Sequence, residues 1–409
     1  MSFVRKAYIF LLMYVLGGSF IGVGRIIGNP VLTLLLFILT FSIFMACFFK
    51  TKYLALTMDG KIWLPFLAWT ILGAILYAVP SFMFMYSVAF IILCIAIGNN
   101  MKEIFPYKLI FILGVILFIG QIMQMQLPGL YHLISKLLFG SELKEMGSGF
   151  QGFTNQTSTA ATILTYALCA YLYFYASKKK YYINVIVISL LLIAVFLTGK
   201  RSMSFVVIFV PTIVLLVSTK SKDKIIKVVL PLVVIGIIAF QFIVSYSDNL
   251  NEVAGFKKVS QGLEMFMDDD EEIDTNGREI LWETALRGYE ENPVFGIGVS
   301  QFENWYGLPT NAHNMYLQVL CEQGGVGLLC FVIPLIFCLL HTIYLIRNGD
   351  ENDSDYNILQ FSLYIQLYFI IYGLSGNPTR NPHGYMMYFC AIGLLQSYQR
   401  RISLEEIQR

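Results

Sequence analysis

The sequence predicts an all-α polytopic membrane protein of about 12 transmembrane helices, with one large external, partly helical loop. Three observations predict it. Hydrophobic residues make up 57% of the 409 residues and charged residues only 13%, a balance outside the range of ordinary soluble domains. Apolar runs of about 20 residues, the length a helix needs to cross the hydrocarbon core, recur along the chain. Acidic residues collect in one segment, 246–312, instead of being interspersed. The runs are continuous and do not alternate, which excludes a transmembrane barrel.

The expected spans are 7–24, 30–49, 62–79, 81–98, 106–126, 156–176, 182–198, 203–219, 226–245, 322–346, 357–374 and 384–398. The first follows Arg5 and Lys6, is too long for a cleaved signal and has no small-residue cleavage site after it, so a retained helix is expected. The chain then divides into an N-terminal transmembrane region 1–245, an external loop 246–312 and a C-terminal transmembrane region 313–409.

Lys and Arg placement orients these spans. With a cytoplasmic N-terminus, the inner side collects the Lys50/Lys52/Lys61 group, Lys102 and Lys108, Lys178 to Lys180, the Lys220/Lys222/Lys224/Lys227 cluster, Arg347 and the C-terminal arginines. Both termini are then expected in the cytoplasm and the acidic loop outside. A net charge of +2 says little about partners when its signs are separated by position, and nothing in the pattern calls for nucleic acid. All seven cysteines fall in or beside expected spans, which implies neither a disulfide framework nor zinc.

The first nine spans contain no Asp or Glu, and Glu322 sits at the edge of the tenth. Ion-coupled carriers commonly bury an acidic ligand near the midplane, so this weakens a coupled transporter. A facilitator needs no such group, and Pro65, Pro211, Pro231 and Pro334 offer places to break spans around a cavity.

Outside, basic residues are few. Arg201 lies in the short turn Thr198-Gly199-Lys200-Arg201-Ser202, where it reads equally as a side chain snorkelling to headgroups or as an anchor for phosphate. In the loop, Asp274-Thr275-Asn276-Gly277 supplies capping residues before Arg278. Trp282, Ala285, Leu286 and Tyr289 then recur at helical spacing until Asn292-Pro293. Arg278 therefore falls in a first helical turn, whose free amides favour an anion; pairing to Glu279 or Glu283 is the plainer alternative. The run Asp268 to Glu272 lacks the glycine and spacing of a calcium loop and reads as a solvated tract. Gly296-Ile297-Gly298 marks a tight turn. His313, between Asn311 and Asn314 at the membrane edge, has the titration range of a general base. His383 follows Arg380 in a second outward segment, while His132, in a loop, and His341, in a span, read as structural.

Together these segments resemble the family of O-antigen ligases and O-antigen or capsule repeat-unit polymerases. The likeness rests on Gly152-Phe153-Thr154-Asn155-Gln156, on the Thr198–Ser202 turn, on Arg278 and Trp282 with Asn292-Pro293 and Gly296-Ile297-Gly298, and on His313-Asn314 with Leu317, Glu322, Gly324 and Gly327. It covers about residues 145–345. The resemblance implies a glycosyltransferase C-like, metal-independent, cofactor-free inverting transferase in a bacterial cytoplasmic membrane, acting at its external face.

It implies an undecaprenyl-pyrophosphate-linked oligosaccharide as donor, with the bilayer, a chain-length regulator and a flippase as partners. Arg201 and Arg278 would hold the pyrophosphate and His313 would activate the acceptor hydroxyl. Asn155, Lys200 and Trp282, then Asn314, Glu322, Arg380 and His383, are the further expected substrate contacts. Polymerisation of repeat units is the favoured reading, because the loop lacks basic residues to grip a phosphorylated core. Ligation to lipid A core and, in another class, transport of polysaccharide or lipid-linked sugar are the alternatives. The acidic loop also leads us to expect easier handling of neutral repeat units than of acidic ones.

Overall fold

The computed structural model describes residues 42, 57–77, 101–139, 149–154, 156–176, 179–219, 278–307, 310–380 and 382–408. The spans expected at 7–24, 81–98 and 226–245, that at 30–49 apart from Ser42, Pro231, the acidic tract, the capping segment 274–277 and Asn155 lie outside them.

The described elements are helical: α1 Met58–Lys61, α2 Leu64–Leu76, α3 Met101–Ile104, α4 Tyr107–Gln126, α5 Pro128–Phe139, α6 Thr157–Phe174, α7 Tyr181–Leu197, α8 Arg201–Ser218, α9 Arg278–Glu291, α10 Phe302–Tyr306, α11 Met315–Asn348, α12 Tyr356–Tyr372 and α13 Pro382–Gln408. A 3-10 turn, Pro378–Arg380, precedes α13. Every expected span within the described residues coincides with a helix. Met58–Leu76, Tyr107–Gln126, Arg201–Ser218 and Met315–Asn348 are long and apolar enough to cross a membrane. The protein is a multi-pass, all-α membrane protein.

Two compact units hold the described residues, one formed by 57–77, 101–105 and 278–408, the other by 106–219. In the second unit α4 and α6 pack closely, with Gly114 so near Ala167 that an added Cβ would lie 2.2 Å from the alanine methyl. Close backbone approach at small residues is how helices associate where water cannot drive them together. Tyr107 stacks on Phe174 at 4.5 Å. The linker between α4 and α6 contains α5, so His132 lies in a helix and not in a loop; Pro128 suits its first turn, where no amide partner is lost.

The first unit is built on α11, which packs against α2, α9 and α12. Trp63 sits at its centre among Phe66, Phe331, Tyr388 and Phe389, with ring centroids 4.9–6.0 Å away. On the opposite face of α11, Leu329, Ile333, Ile336, Leu340 and Tyr344 stay at least 50% exposed, an apolar stripe suited to lipid.

α11 is broken, and not at its proline. Pro334 continues the helix, whereas Gly324 takes φ 70° and ψ −174°, a conformation essentially reserved for glycine. The break separates Met315–Gln323, the helix capped by Asn314, from the span that follows. Breaking a helix at membrane depth frees carbonyls that must find donors. The Gly-x-Gly turn supplies them: Ile297 N–H donates to Cys321 O at 2.9 Å and Gly298 N–H to Glu322 O at 3.0 Å. Trp69 Nε1 donates to Gln323 O at 3.0 Å while its ring stacks on Phe295 at 4.7 Å. A Cβ on Gly296 would fall 2.4 Å from the Glu322 carbonyl carbon, and one on Gly324 2.1 Å from Val294 O. Two glycine positions far apart in sequence thus allow one backbone-to-backbone contact.

The amphipathic helix expected after residue 278 is α9, ended by Asn292 as expected. Its buried face is Leu281, Thr284, Ala285 and Gly288, so the stripe is rotated from the one read in the sequence, and Leu286 is 42% exposed. The reason is close packing at Gly288, where an added Cβ would sit 2.6 Å from Cys321 Sγ.

Candidate functional site

In the first unit, the start of α9, the start of α11 and the end of α12 meet at one corner. Asn314 caps α11, its Oδ1 accepting from Tyr316 N–H at 3.0 Å and Leu317 N–H at 3.1 Å. Its Nδ2 donates to Leu374 O at 3.2 Å. Arg278, the first residue of α9, donates through Nη1 to the adjacent carbonyl, Ser375 O, at 3.2 Å. Neighbouring Cα atoms are about 3.8 Å apart, so the Arg278 guanidinium and the Asn314 amide reach side-by-side acceptors. Met315 N–H donates to Gly373 O at 2.8 Å and Tyr316 Oη to Ile370 O at 3.0 Å, which locks the end of α12 beneath both. One turn along α9 from Arg278, Trp282 Nε1 donates to Ala312 O at 3.0 Å.

His313 is held at this corner in a left-handed backbone conformation, φ 49°, half-buried. Only a few per cent of non-glycine residues adopt positive φ, and such strain persists where the surroundings over-determine it. Here they do. His313 N–H donates to Asn311 Oδ1 at 2.8 Å, and the preceding Ala312 has its carbonyl taken by Trp282 and its N–H by Gln318 Oε1 at 2.9 Å. Arg278 opens α9, and His313 directly precedes the residue that caps α11, so two helix N-termini, whose free amides favour an anion, contribute to this corner.

The other expected contacts in this unit have structural partners. Glu322 is 8% exposed, with Oε2 accepting from Ser300 N–H at 2.9 Å and Oε1 from Phe302 N–H at 3.3 Å and Gln318 Nε2 at 2.5 Å. Arg380 donates to Thr310 O at 3.0 Å and pairs with Glu303. It therefore ties the 3-10 turn to the loop leading into His313. His383 is buried at 4% exposure near the start of α13. Trp282 and Asn314 use polar atoms to hold the corner together. Gln318 and Glu303, which the sequence reading passed over, prove central to these contacts. The one sequence signal for Gln318 is its place four residues before Glu322, on the same face of a largely apolar helix.

Arg201 lies in the second unit, as the first residue of α8 after the Thr198–Gly199 turn, and is half-buried. Gly199 has φ 65°, which lets α7 reverse into α8 in a short link. Lys200 occupies the cap position of α8. The Gly149–Thr154 segment, which includes most of the glycine-aromatic motif, docks on the end of α7: Phe150 N–H donates to Leu197 O at 2.8 Å. A Cβ on Gly149 would lie 2.0 Å from Thr198 O. Gln121 Nε2 bridges Phe150 O at 2.9 Å and Ala194 O at 3.0 Å, and Gln124 Oε1 accepts from the Gln151 and Gly152 amides at 3.0 and 3.1 Å. Two motifs read separately in the sequence are thus neighbours within this unit. Among the described residues no group of three His, Cys, Asp or Glu side chains gathers as metal ligands would.

Comparison with known proteins adds one finding. No curated protein matches the chain. Residues 185–332 match the family model described as O-antigen ligase. The match runs from α7 to the first part of α11 and contains Arg201, Arg278, Trp282, His313, Asn314 and Glu322, while Asn155, Arg380 and His383 fall outside it. Over residues 185–332, therefore, the chain is similar to the O-antigen ligase family.

Proposed function

We propose that the protein polymerises lipid-linked oligosaccharide repeat units, transferring a glycan from undecaprenyl pyrophosphate to a sugar hydroxyl of another lipid-linked repeat at the outer face of the bacterial cytoplasmic membrane. The observation that supports it is the corner at Leu374–Ser375, where Arg278 and the His313–Asn314 pair come together at two helix N-termini. His313 takes the proton of the acceptor hydroxyl, whose oxygen attacks the anomeric carbon of the donor sugar. The bond from that carbon to the phosphate oxygen breaks, and the electron pair leaves with the lipid pyrophosphate. Attack from the opposite face inverts the anomeric centre.

Arg278 offsets the charge that develops on the leaving oxygen, a contact that strengthens in the transition state. Arg201 is proposed as a second phosphate contact on the strength of the resemblance alone. Lipid pyrophosphate is already a good leaving group, so orientation and charge stabilisation are the main demands on the protein. An apolar helix surface beside a polar corner suits a donor with a polyprenyl tail and a hydrated glycan. In this reading both termini are cytoplasmic, residues 246–312 are the external loop between the transmembrane regions 1–245 and 313–409, and a chain-length regulator and a flippase act alongside.

The matched family's description favours a second reading, ligation of the glycan to lipid A core. Loss of the gene separates the two. A lost polymerase leaves single repeats on the final acceptor, and a lost ligase leaves long chains on the carrier lipid. The direct test is purified full-length protein in nanodiscs, supplied with lipid-linked saccharide extracted from cells that lack it. A ladder of longer lipid-linked chains is expected, with Arg278→Ala, Arg201→Ala and His313→Ala each reducing turnover by about 100-fold or more. Normal ladders from all three variants would remove the site assignment.

A further inference from the structure

We infer that Glu322 and Gln318 are positioning residues that hold His313 in its working orientation, through an unbroken relay from carboxylate to side-chain amide to backbone. The inference rests on the role proposed above for His313 and changes the role expected for Glu322. Both carboxylate oxygens of Glu322 already have donors from the protein: Ser300 N–H on Oε2, and Phe302 N–H with Gln318 Nε2 on Oε1. A buried carboxylate engaged in this way is poorly placed to grip a sugar. What it does instead is fix which way the Gln318 amide points.

That choice propagates. Because Gln318 Nε2 donates to Glu322 at 2.5 Å, its oxygen must face the other way, where it accepts from Ala312 N–H at 2.9 Å. Ala312 O is held by Trp282 Nε1 at 3.0 Å. Ala312, the residue immediately before His313, is therefore held at both its N–H and its carbonyl, and the clamp keeps His313 in the left-handed region. A histidine released from such constraints relaxes to ordinary backbone angles and its ring swings away, because the left-handed conformation is disfavoured for side chains with a Cβ. The same carboxylate binds the amides of Ser300 and Phe302, so the loop after the Gly-x-Gly turn and the catalytic loop are set by one residue.

A misplacement of about 1 Å at a reacting group costs about 100-fold in rate. Glu322→Gln keeps the size but sets an amide nitrogen either against Ser300 N–H or against both Phe302 N–H and the Gln318 nitrogen, so at least one contact that anchors the relay is lost. Gln318→Ala cuts the path to Ala312 without touching Ser300 or Phe302.

The test compares these two variants with wild type in nanodiscs, using lipid-linked saccharide extracted from cells lacking the protein, with thermal unfolding measured on each preparation. Glu322→Gln and Gln318→Ala are expected to lower kcat by about 10- to 100-fold with KM for the donor within about 2-fold. Wild-type kcat in Gln318→Ala, or a loss carried by KM, would overturn the relay. If His313→Ala and Arg278→Ala retain full turnover in the same assay, the proposed reaction site itself is at fault; if they are inactive while Gln318→Ala is normal, only the relay is.

Discussion

At the scale of single residues, His313 carries two separable demands, a left-handed backbone and an imidazole. Asn is among the residues that tolerate this conformation, whereas a β-branched side chain at positive φ is a true outlier. His313→Asn is therefore expected to unfold at the wild-type temperature and to have no measurable turnover, while His313→Val loses about 1–2 kcal/mol of stability as well. Thermal unfolding in detergent beside the turnover assay checks both, and an active His313→Asn would exclude the imidazole as base. Arg278 donates to Ser375 O with one nitrogen of a planar fork whose several N–H groups share one rigid frame, the geometry that matches phosphate. Arg278→Lys should recover little of the activity lost in Arg278→Ala, because an ammonium is a point charge without the two-pronged geometry. The placement of Arg278 and His313 at helix starts was legible from residue order. Their support was not, since Gln318, Leu374 and Ser375 contribute amide and carbonyl groups whose importance depends wholly on tertiary neighbours.

At the scale of elements, the spans within the described residues were legible because lipid requires long apolar helices wherever they lie, and hydropathy reports that requirement directly. The break in α11 was not. Pro334 is the local helix breaker that a reader of sequence would choose, yet the helix runs through it and stops at Gly324, whose conformation is selected by contact with Val294 and the Gly-x-Gly turn. The register of α9 went astray for the same kind of reason, since Gly288 faces Cys321 and turns the helix toward its smallest side chain. Gly324→Ala is therefore expected to destabilise the protein by about 1–3 kcal/mol from backbone strain, with more from the clash at Val294 O, and to abolish turnover by moving Glu322. Pro334→Ala should cost less and keep turnover. Paired unfolding and activity measurements would rank the two, and a Gly324→Ala protein with wild-type stability and activity would show that the docked turn does not shape the site.

At the scale of the whole molecule, the chain separates apolar surface for the bilayer from small polar clusters where helices end. Besides the corner around His313, the first unit holds an ionic cluster at the other end of α11. Lys102 meets Asp355 at 2.5 Å, and Arg401 reaches Asp355 at 3.1 Å, Glu405 at 3.2 Å and also Asp353. Three stretches distant in sequence, α3, the α11–α12 loop and α13, are joined there. No spacing rule reveals such a cluster, because each charge alone reads as one more cytoplasmic lysine, arginine or carboxylate. Burial alone would raise the Asp353 carboxyl, but the Asp355 N–H and the Arg401 guanidinium outweigh it and bring it below its ordinary value of 3.8. A carboxyl whose pKa is lower in the folded state contributes stability above its unfolded pKa, and that contribution fades as pH falls through the folded value. Asp353→Asn should therefore lower stability near pH 7 by about 0.5–1 kcal/mol, the scale of a partly exposed ion pair. The deficit should shrink as the pH is taken below 3.8, where wild type loses the same charge by protonation. Unfolding of wild type and Asp353→Asn, measured in one detergent across that range, checks the sign. A deficit that stays constant from neutral pH into the acid limb would mean that Asp353 acts through its shape and not through its charge.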